Sequence, residues 1–349
     1  MTRNHFVVLD GLRGIAAIAV VIFHFMEWVI PDFSDNFIGH GYLAVDFFFC
    51  LSGFVIGYAY DEKVRAIGFW NFAKARLVRL HPLVVIGSVL GLLGFLFPLF
   101  GAAEHYSFSS VLILFLSSLF LIPYPVLESR AFNLFSLNAP SWSLFWEYIV
   151  NIGYAIWLSK IHRKTLTVFL CIAAVWLIYT SYHYGNLLGG WSKDNWEAGA
   201  ARVCYSFGAG LFIYRNRWII QNRGGFMLSA AFLLMCLLMP FFSPNWLIDG
   251  LIVLFLFPFI VSLGAGTSVE PAFSQLANWL GNISYPLYMT HYWAIWFFGA
   301  YLSHPDYTPG QLIYIIPAGT LFLIGFAHVV MKFLDMPLRA YLKKKLAVR

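Results

Sequence analysis

The chain has 349 residues, of which 60% are hydrophobic, 19% aromatic and only 11% charged, with a mean hydropathy of +0.74. Soluble domains carry about 25% charged residues, so the composition excludes a soluble globular protein. It indicates an all-α polytopic membrane protein, a single domain over residues 1–349 with about ten transmembrane helices. The formal net charge of +6 falls in short clusters of the kind that cytoplasmic loops collect, which argues against nucleic-acid binding.

The first apolar segment, 6–30, is long enough at ~1.5 Å per residue to cross a bilayer core of about 30 Å. Asp10, Arg13, His24 and Glu27 interrupt it, although a charge near mid-bilayer costs on the order of 3 kcal/mol on insertion scales. Arg13 and His24 are eleven positions apart. At roughly 100° per residue they share a face, offset by about 20° and ~16 Å apart along the axis. Asp10 lies one turn before Arg13 on that face. A polar stripe on an apolar helix faces the protein interior or a wet cavity, so this stripe marks the candidate active site. A secretory signal peptide does not fit the segment. Arg3 is the only basic residue before it, Asp10 and Arg13 break it, and no small-residue cleavage site closes it.

Further apolar segments follow at 41–60, 82–101, 110–126, 143–159, 166–184, 202–214, 225–242, 246–265, 283–303 and 310–335. Basic residues cluster at Lys63, Arg65, Lys74, Arg76 and Arg79, at Lys160, Arg163 and Lys164, and at Arg215, Arg217 and Arg223. A last cluster holds Arg339, Lys343, Lys344, Lys345 and Arg349. Placing every cluster in the cytoplasm requires an even number of crossings between neighbours, yet three segments separate Arg79 from Lys160. The weakest is 110–126, whose apolar run of about fourteen residues suits a re-entrant or interfacial helix. Setting it aside leaves about ten spans, with both termini cytoplasmic and loops 31–40, 102–142, 185–201 and 304–309 external. Segment 202–214 is also short and rests on the charge pattern as much as on hydropathy. His24 then lies in the outer half of its helix and Arg13 in the cytoplasmic half. No appended soluble domain is expected. Cys50, Cys171, Cys204 and Cys236 stand singly in apolar surroundings, so neither a metal site nor a disulfide framework is expected.

Five motifs occur in order along the chain. Leu9-Asp10-Gly11-Leu12-Arg13-Gly14 leads to His24, and Val45-Asp46-Phe47-Phe48-Phe49-Cys50-Leu51-Ser52-Gly53-Phe54 follows. Then come Arg76-Leu77-Val78-Arg79-Leu80-His81-Pro82, Ser141-Trp142-Ser143-Leu144-Phe145-Trp146-Glu147 and Ile283-Ser284-Tyr285-Pro286-Leu287-Tyr288-Met289-Thr290-His291. Together they closely resemble the acyltransferase-3 family of membrane-bound O-acyltransferases, across almost the whole chain. Departures are small: Ala44 where glycine is common, Cys50 where an aliphatic is favoured and His81 where an aromatic is usual. The resemblance implies transfer of an acyl group, by default acetyl, from cytoplasmic acyl-CoA to a hydroxyl of a carbohydrate or glycolipid acceptor. It implies a multi-pass protein of the bacterial cytoplasmic membrane, with no metal. A hydrolase-like extracytoplasmic domain that some relatives carry is not expected here.

The residues themselves suit those roles to different degrees. An imidazole is a base of the right strength to take a proton from a hydroxyl attacking a thioester, which makes His24 the candidate general base. Arg13 either neutralises Asp10 one turn away or stabilises charge on the donor. Arg76 and Arg79, one turn apart, match the phosphates of CoA, although positive-inside topology alone would place basic residues there. Glu147, on one face with Ser143, could orient or recharge His24, or bind an acceptor hydroxyl. Asp46 is open between an ion pair with Arg13, a hydrogen bond to Ser52 and a functional role. Ser284, Tyr288 and His291 share a helix face and are candidates to line a pore.

A rival reading from another class is a proton-coupled transporter with Asp10, Arg13, His24, Asp46 and Glu147 as its relay. Such proteins often carry internal repeats with helices broken at matching positions, and no such repeat is visible here.

Overall fold

The computed structural model describes residues 6–100 and 106–346; Arg3 and Arg349, and with them the two chain ends, lie outside the described residues. Helix α1 runs Val7–Val29, α2 Ala44–Tyr60 behind a short turn, α3 Val64–Leu96 and α4 Phe108–Phe120. Helix α5, Ser141–Gly153, continues as a π turn, Tyr154–Leu158, and α6 and α7 follow at Arg163–Tyr184 and Trp196–Asn216. Next come α8 at Gly225–Leu237 and α9 at Asn245–Leu251, joined through a π turn to α10, Phe257–Ala265. Helices α11 (Pro271–Thr290) and α12 (Tyr292–Leu302) meet end to end at His291. Helix α13, Leu312–Val330, passes through a last π turn, Met331–Asp335, into α14, Met336–Lys345. Among the described residues there is no β-sheet, only an isolated bridge between Asn133 and Ser192.

Each apolar segment of the sequence falls on a helix, so the all-α membrane architecture stands. Six helical units are long and apolar enough to cross a bilayer: Val7–Val29, Gly41–Tyr60, Val64–Leu96, Arg163–Tyr184, Asn245–Ala265 and Pro309–Lys345. Three boundaries differ from the hydropathy reading. The basic cluster from Arg65 to Arg79 lies on α3 itself, which begins at Val64 and bends at Gly68 (φ 77°, ψ 162°). Segment 283–303 is two helices, broken at His291. Segment 225–242 yields only the 13 residues of α8, about 20 Å of helix.

Local chemistry explains the breaks. Helix α4 starts at Ser107, whose hydroxyl accepts from the Ser110 N–H, and stops at Leu121 in the left-handed conformation, just before Pro123 and Pro125. The π turns at Ile252–Leu256 and Met331–Asp335 each end two residues before a proline, Pro258 and Pro337. A helical proline leaves the carbonyl four residues earlier without its usual donor. In the first case that carbonyl, on Leu254, accepts instead from the Tyr205 hydroxyl at 2.8 Å.

Two tight helix pairs position everything that follows: α1 on α11 and α2 on α7. Both depend on glycine. A methyl group at Gly53 would meet the Phe207 carbonyl oxygen at 2.0 Å, and one at Gly210 the Cys50 carbonyl oxygen at 1.9 Å. On the other pair, a methyl at Gly14 would lie 2.5 Å from the Leu280 carbonyl, and one at Gly281 would lie 2.6 Å from Asp10 Cβ. Small residues let helix backbones touch where lipid supplies no hydrophobic drive for association. Contact at Gly281 is what brings Arg13 of α1 within reach of α11.

Candidate active site

Two cavities lie end to end beside α1. The first, of about 300 Å³, gathers Arg13, Arg76, Arg79 and Arg339 together with Asp10, Ser52, Glu147 and Ser284. Arg13 is the best fixed of the arginines. Its Nε donates to Ser284 Oγ at 2.8 Å and its Nη2 to the Gly281 carbonyl at 2.8 Å, while Asp10 Oδ1 lies 3.1 Å away. Arg76 is buried and donates to Glu147 Oε1 at 3.0 Å; the same oxygen accepts from Ser52 Oγ at 2.5 Å and Asn151 Nδ2 at 3.0 Å. Arg339 pairs with the fully buried Asp335. Arg79 is exposed and makes no hydrogen bond or ion pair among the described residues. Of the four guanidiniums it alone is not already committed to a carboxylate.

The second cavity, of about 400 Å³, holds His24 and Glu27 among aromatic side chains that include Trp28, Trp142, Trp191, Tyr292 and Trp296. His24 Nδ1 lies 2.6 Å from Glu27 Oε1. An ionised carboxylate can only accept, so Nδ1 donates, and in the neutral imidazole the lone pair is then on Nε2. One face of His24 stacks on His291 (ring centroids 5.3 Å apart, 21° between planes), and the Tyr292 ring meets it edge-on at 4.9 Å. His291 Nδ1 donates to the carbonyls of Tyr288 and Leu287 at 2.9 and 3.1 Å, which locks its ring against His24. His24 is thus held by a carboxylate on its own helix and by packed rings from the α11–α12 junction. The Arg130 guanidinium lies 4.7 Å from the centre of the Phe95 ring and 4.6 Å from that of Trp296.

Val45 and Tyr288 line both cavities. Tyr288 Oη sits 2.7 Å from Ser143 Oγ, and Ser143 also donates to the Pro140 carbonyl at 3.0 Å. With its one proton spent on Pro140, Ser143 accepts from Tyr288. Of the three residues expected to line a pore, Ser284 lines the first cavity and Tyr288 both, with partners Arg13 and Ser143, whereas His291 lines neither and packs against His24.

Two expectations change. Glu147 does not reach His24; it lies in the arginine cavity as the partner of Arg76 and Ser52, and the carboxylate at His24 is Glu27. One turn of helix places Glu27 beside His24, so the spacing carried that signal. Asp46 pairs with neither Arg13 nor Ser52 and lines neither cavity. It is fully buried against Arg202, with Arg202 Nη2 at 2.6 Å from Oδ2 and Nε at 3.2 Å from Oδ1. Arg202 further donates to the carbonyls of Gly189 at 2.8 Å and Tyr42 at 3.0 Å, and it lines the histidine cavity. An arginine at the head of an apolar segment was the available sign of this pair. Arg215, counted with a basic cluster, is likewise a buried partner, bound to Asp61 at 2.7 Å and 2.9 Å. The five residues of a proton relay fall into separate groups: Asp10 with Arg13, His24 with Glu27, Asp46 with Arg202, Glu147 with Arg76.

Comparison with known proteins gives the family. A family model described as "Acyltransferase domain" matches residues 6–331. "Protein 2 in picA locus" of Rhizobium radiobacter is 33% identical over 193 residues, 52% of this chain and 97% of that protein. "Acyltransferase MdmB" of Streptomyces mycarofaciens is 25% identical over 163 residues, 44% of this chain and 40% of its own. "Putative O-acetyltransferase SACOL0978" of Staphylococcus aureus (strain COL) is 24% identical over 364 aligned positions, covering 95% of this chain and 57% of that protein. The chain thus spans well under two thirds of the last two relatives. No solved structure matches it significantly. With the family model covering nearly the whole chain, the protein belongs to the acyltransferase-3 family.

Proposed function

We propose that the protein is an O-acyltransferase that moves an acyl group, acetyl in the simplest case, from acyl-CoA to a hydroxyl of a carbohydrate or glycolipid. The observation that carries this reading is the pair of adjoining cavities, one rich in arginine and one built around a fixed histidine base. Arg79, with Arg76 and Arg13 behind it, suits the phosphates of the donor, because a guanidinium pairs with phosphate oxygens in two parallel hydrogen bonds. The aromatic walls of the histidine cavity suit the apolar faces of a sugar ring.

In the reaction His24 Nε2 takes the proton of the acceptor hydroxyl as its oxygen attacks the thioester carbonyl carbon. The carbon–sulfur bond breaks, the ester remains on the acceptor, and the thiolate leaves and takes up the proton. Glu27 holds the imidazole in the reactive tautomer and stabilises the imidazolium that forms. We place the arginine cavity on the cytoplasmic side, where acyl-CoA is found, and both termini there too, with about ten spans in a bacterial cytoplasmic membrane. No metal is required for this chemistry.

The test is to incubate membranes holding the protein with labelled acetyl-CoA and to look for label in glycan or glycolipid. Label that depends on the protein is expected. Label retained wholly in acetyl-CoA across a panel of surface glycans and lipids contradicts the proposal.

A further inference from the structure

The arginine and histidine cavities meet but do not merge. Each has its own exposed mouth, at Arg79 and Asn282 for the first and at Trp28 and Ser129 for the second. Two side chains, Val45 and Tyr288, line both. Val45 is apolar and offers nothing to hold. Tyr288 is buried among packed rings, with Phe48 edge-on at 5.6 Å and His291 at 6.1 Å, and its hydroxyl donates to Ser143 Oγ at 2.7 Å. That is its one side-chain hydrogen bond among the described residues, so losing it weakens the hold on the ring.

We propose that the Ser143–Tyr288 hydrogen bond is a latch between the two cavities, and that swinging Tyr288 aside joins them into one passage. The physical case is that Tyr288 lines both cavities and its hydroxyl has one side-chain partner, so breaking that bond weakens what holds the ring between them. Ser143 and Tyr288 are positioning residues in this scheme. Neither takes a proton from the acceptor. What passes, the acyl-bearing arm of the donor, rests on the acyl-transfer reading; the latch itself does not.

The experiment therefore uses no donor and no acceptor. In a chain whose four native cysteines are replaced by alanine, Val55→Cys reports on the arginine cavity and Ala139→Cys on the histidine cavity. The protein is placed in sealed vesicles, and a charged, membrane-impermeant methanethiosulfonate is added from one side at a time. With the latch intact, each cysteine is expected to react from one side only. Tyr288→Ala should make both react from either side. Tyr288→Phe and Ser143→Ala, which remove the hydrogen bond and keep most of the packing, should each raise the far-side rate by about two- to tenfold, and the double variant should add little more. If Tyr288→Ala does not fold, the two milder variants decide. Far-side rates unchanged in the variants, or two-sided labelling already present with Ser143 and Tyr288 in place, overturn the latch. Because acyl-CoA turnover is measured separately, failure of the latch and failure of the acyl-transfer reading fall in different assays.

Discussion

At the scale of single residues, the structure separates side chains that the sequence treats alike. Arg76 and Arg79 sit one turn apart in one motif, yet Arg76 is tied to Glu147 and Arg79 has no such partner. Arg79→Ala should therefore raise the KM for acyl-CoA by about 10- to 100-fold, the worth of a charge-assisted hydrogen bond, with kcat little changed. An unaltered donor KM would reduce Arg79 to a topology signal. Arg76→Ala is a different experiment. It strands the Glu147 carboxylate in a nearly buried site, a change that costs about 3–5 kcal/mol in such settings, so loss of stability is expected first. Glu27→Gln tests the base. An amide can present N–H to His24 Nδ1 and favour the wrong tautomer, so kcat should fall by between about 10²- and 10⁴-fold with donor KM unchanged. Wild-type turnover in that variant would remove Glu27 from the mechanism.

At the scale of elements, hydropathy located the helices well because some twenty consecutive apolar residues have few alternatives to a helix in lipid. It missed what depends on contacts between helices. The break at His291 is invisible in an apolar run, since both sides of it are equally hydrophobic. The pairing of Asp46 with Arg202 joins residues 156 positions apart, which no spacing rule reaches. His24 and Arg13 were legible because they share one helix, and so was the Asp10–Arg13 pair. The partners of Glu147 were not legible because its own helix shows only that it faces inward, not which cavity it faces. The glycine contact between α1 and α11 also gives a test. Gly281→Val forces Asp10 and Arg13 away from α11, and overpacking of this kind costs about 1–3 kcal/mol. A lower unfolding temperature in detergent is expected, together with a raised donor KM as Arg13 loses the Gly281 carbonyl. An unchanged unfolding temperature would mean that the helices separate without penalty.

At the scale of the whole molecule, the account requires the two cavities to open on opposite sides of the membrane. Single cysteines at Ser34 and Asn186 should react with an impermeant thiol reagent outside the cell, while one at Lys164 should not; labelling at 164 from outside would reverse the assignment. The central claim is that one histidine activates an acceptor hydroxyl against a donor held by the arginines. The most direct measurement is the rate of label transfer from acetyl-CoA in His24→Gln beside the unaltered protein, with donor binding measured on both. The account predicts a fall of about 10²- to 10⁴-fold in turnover with donor binding retained. Transfer by His24→Gln at the rate of the unaltered protein would contradict it.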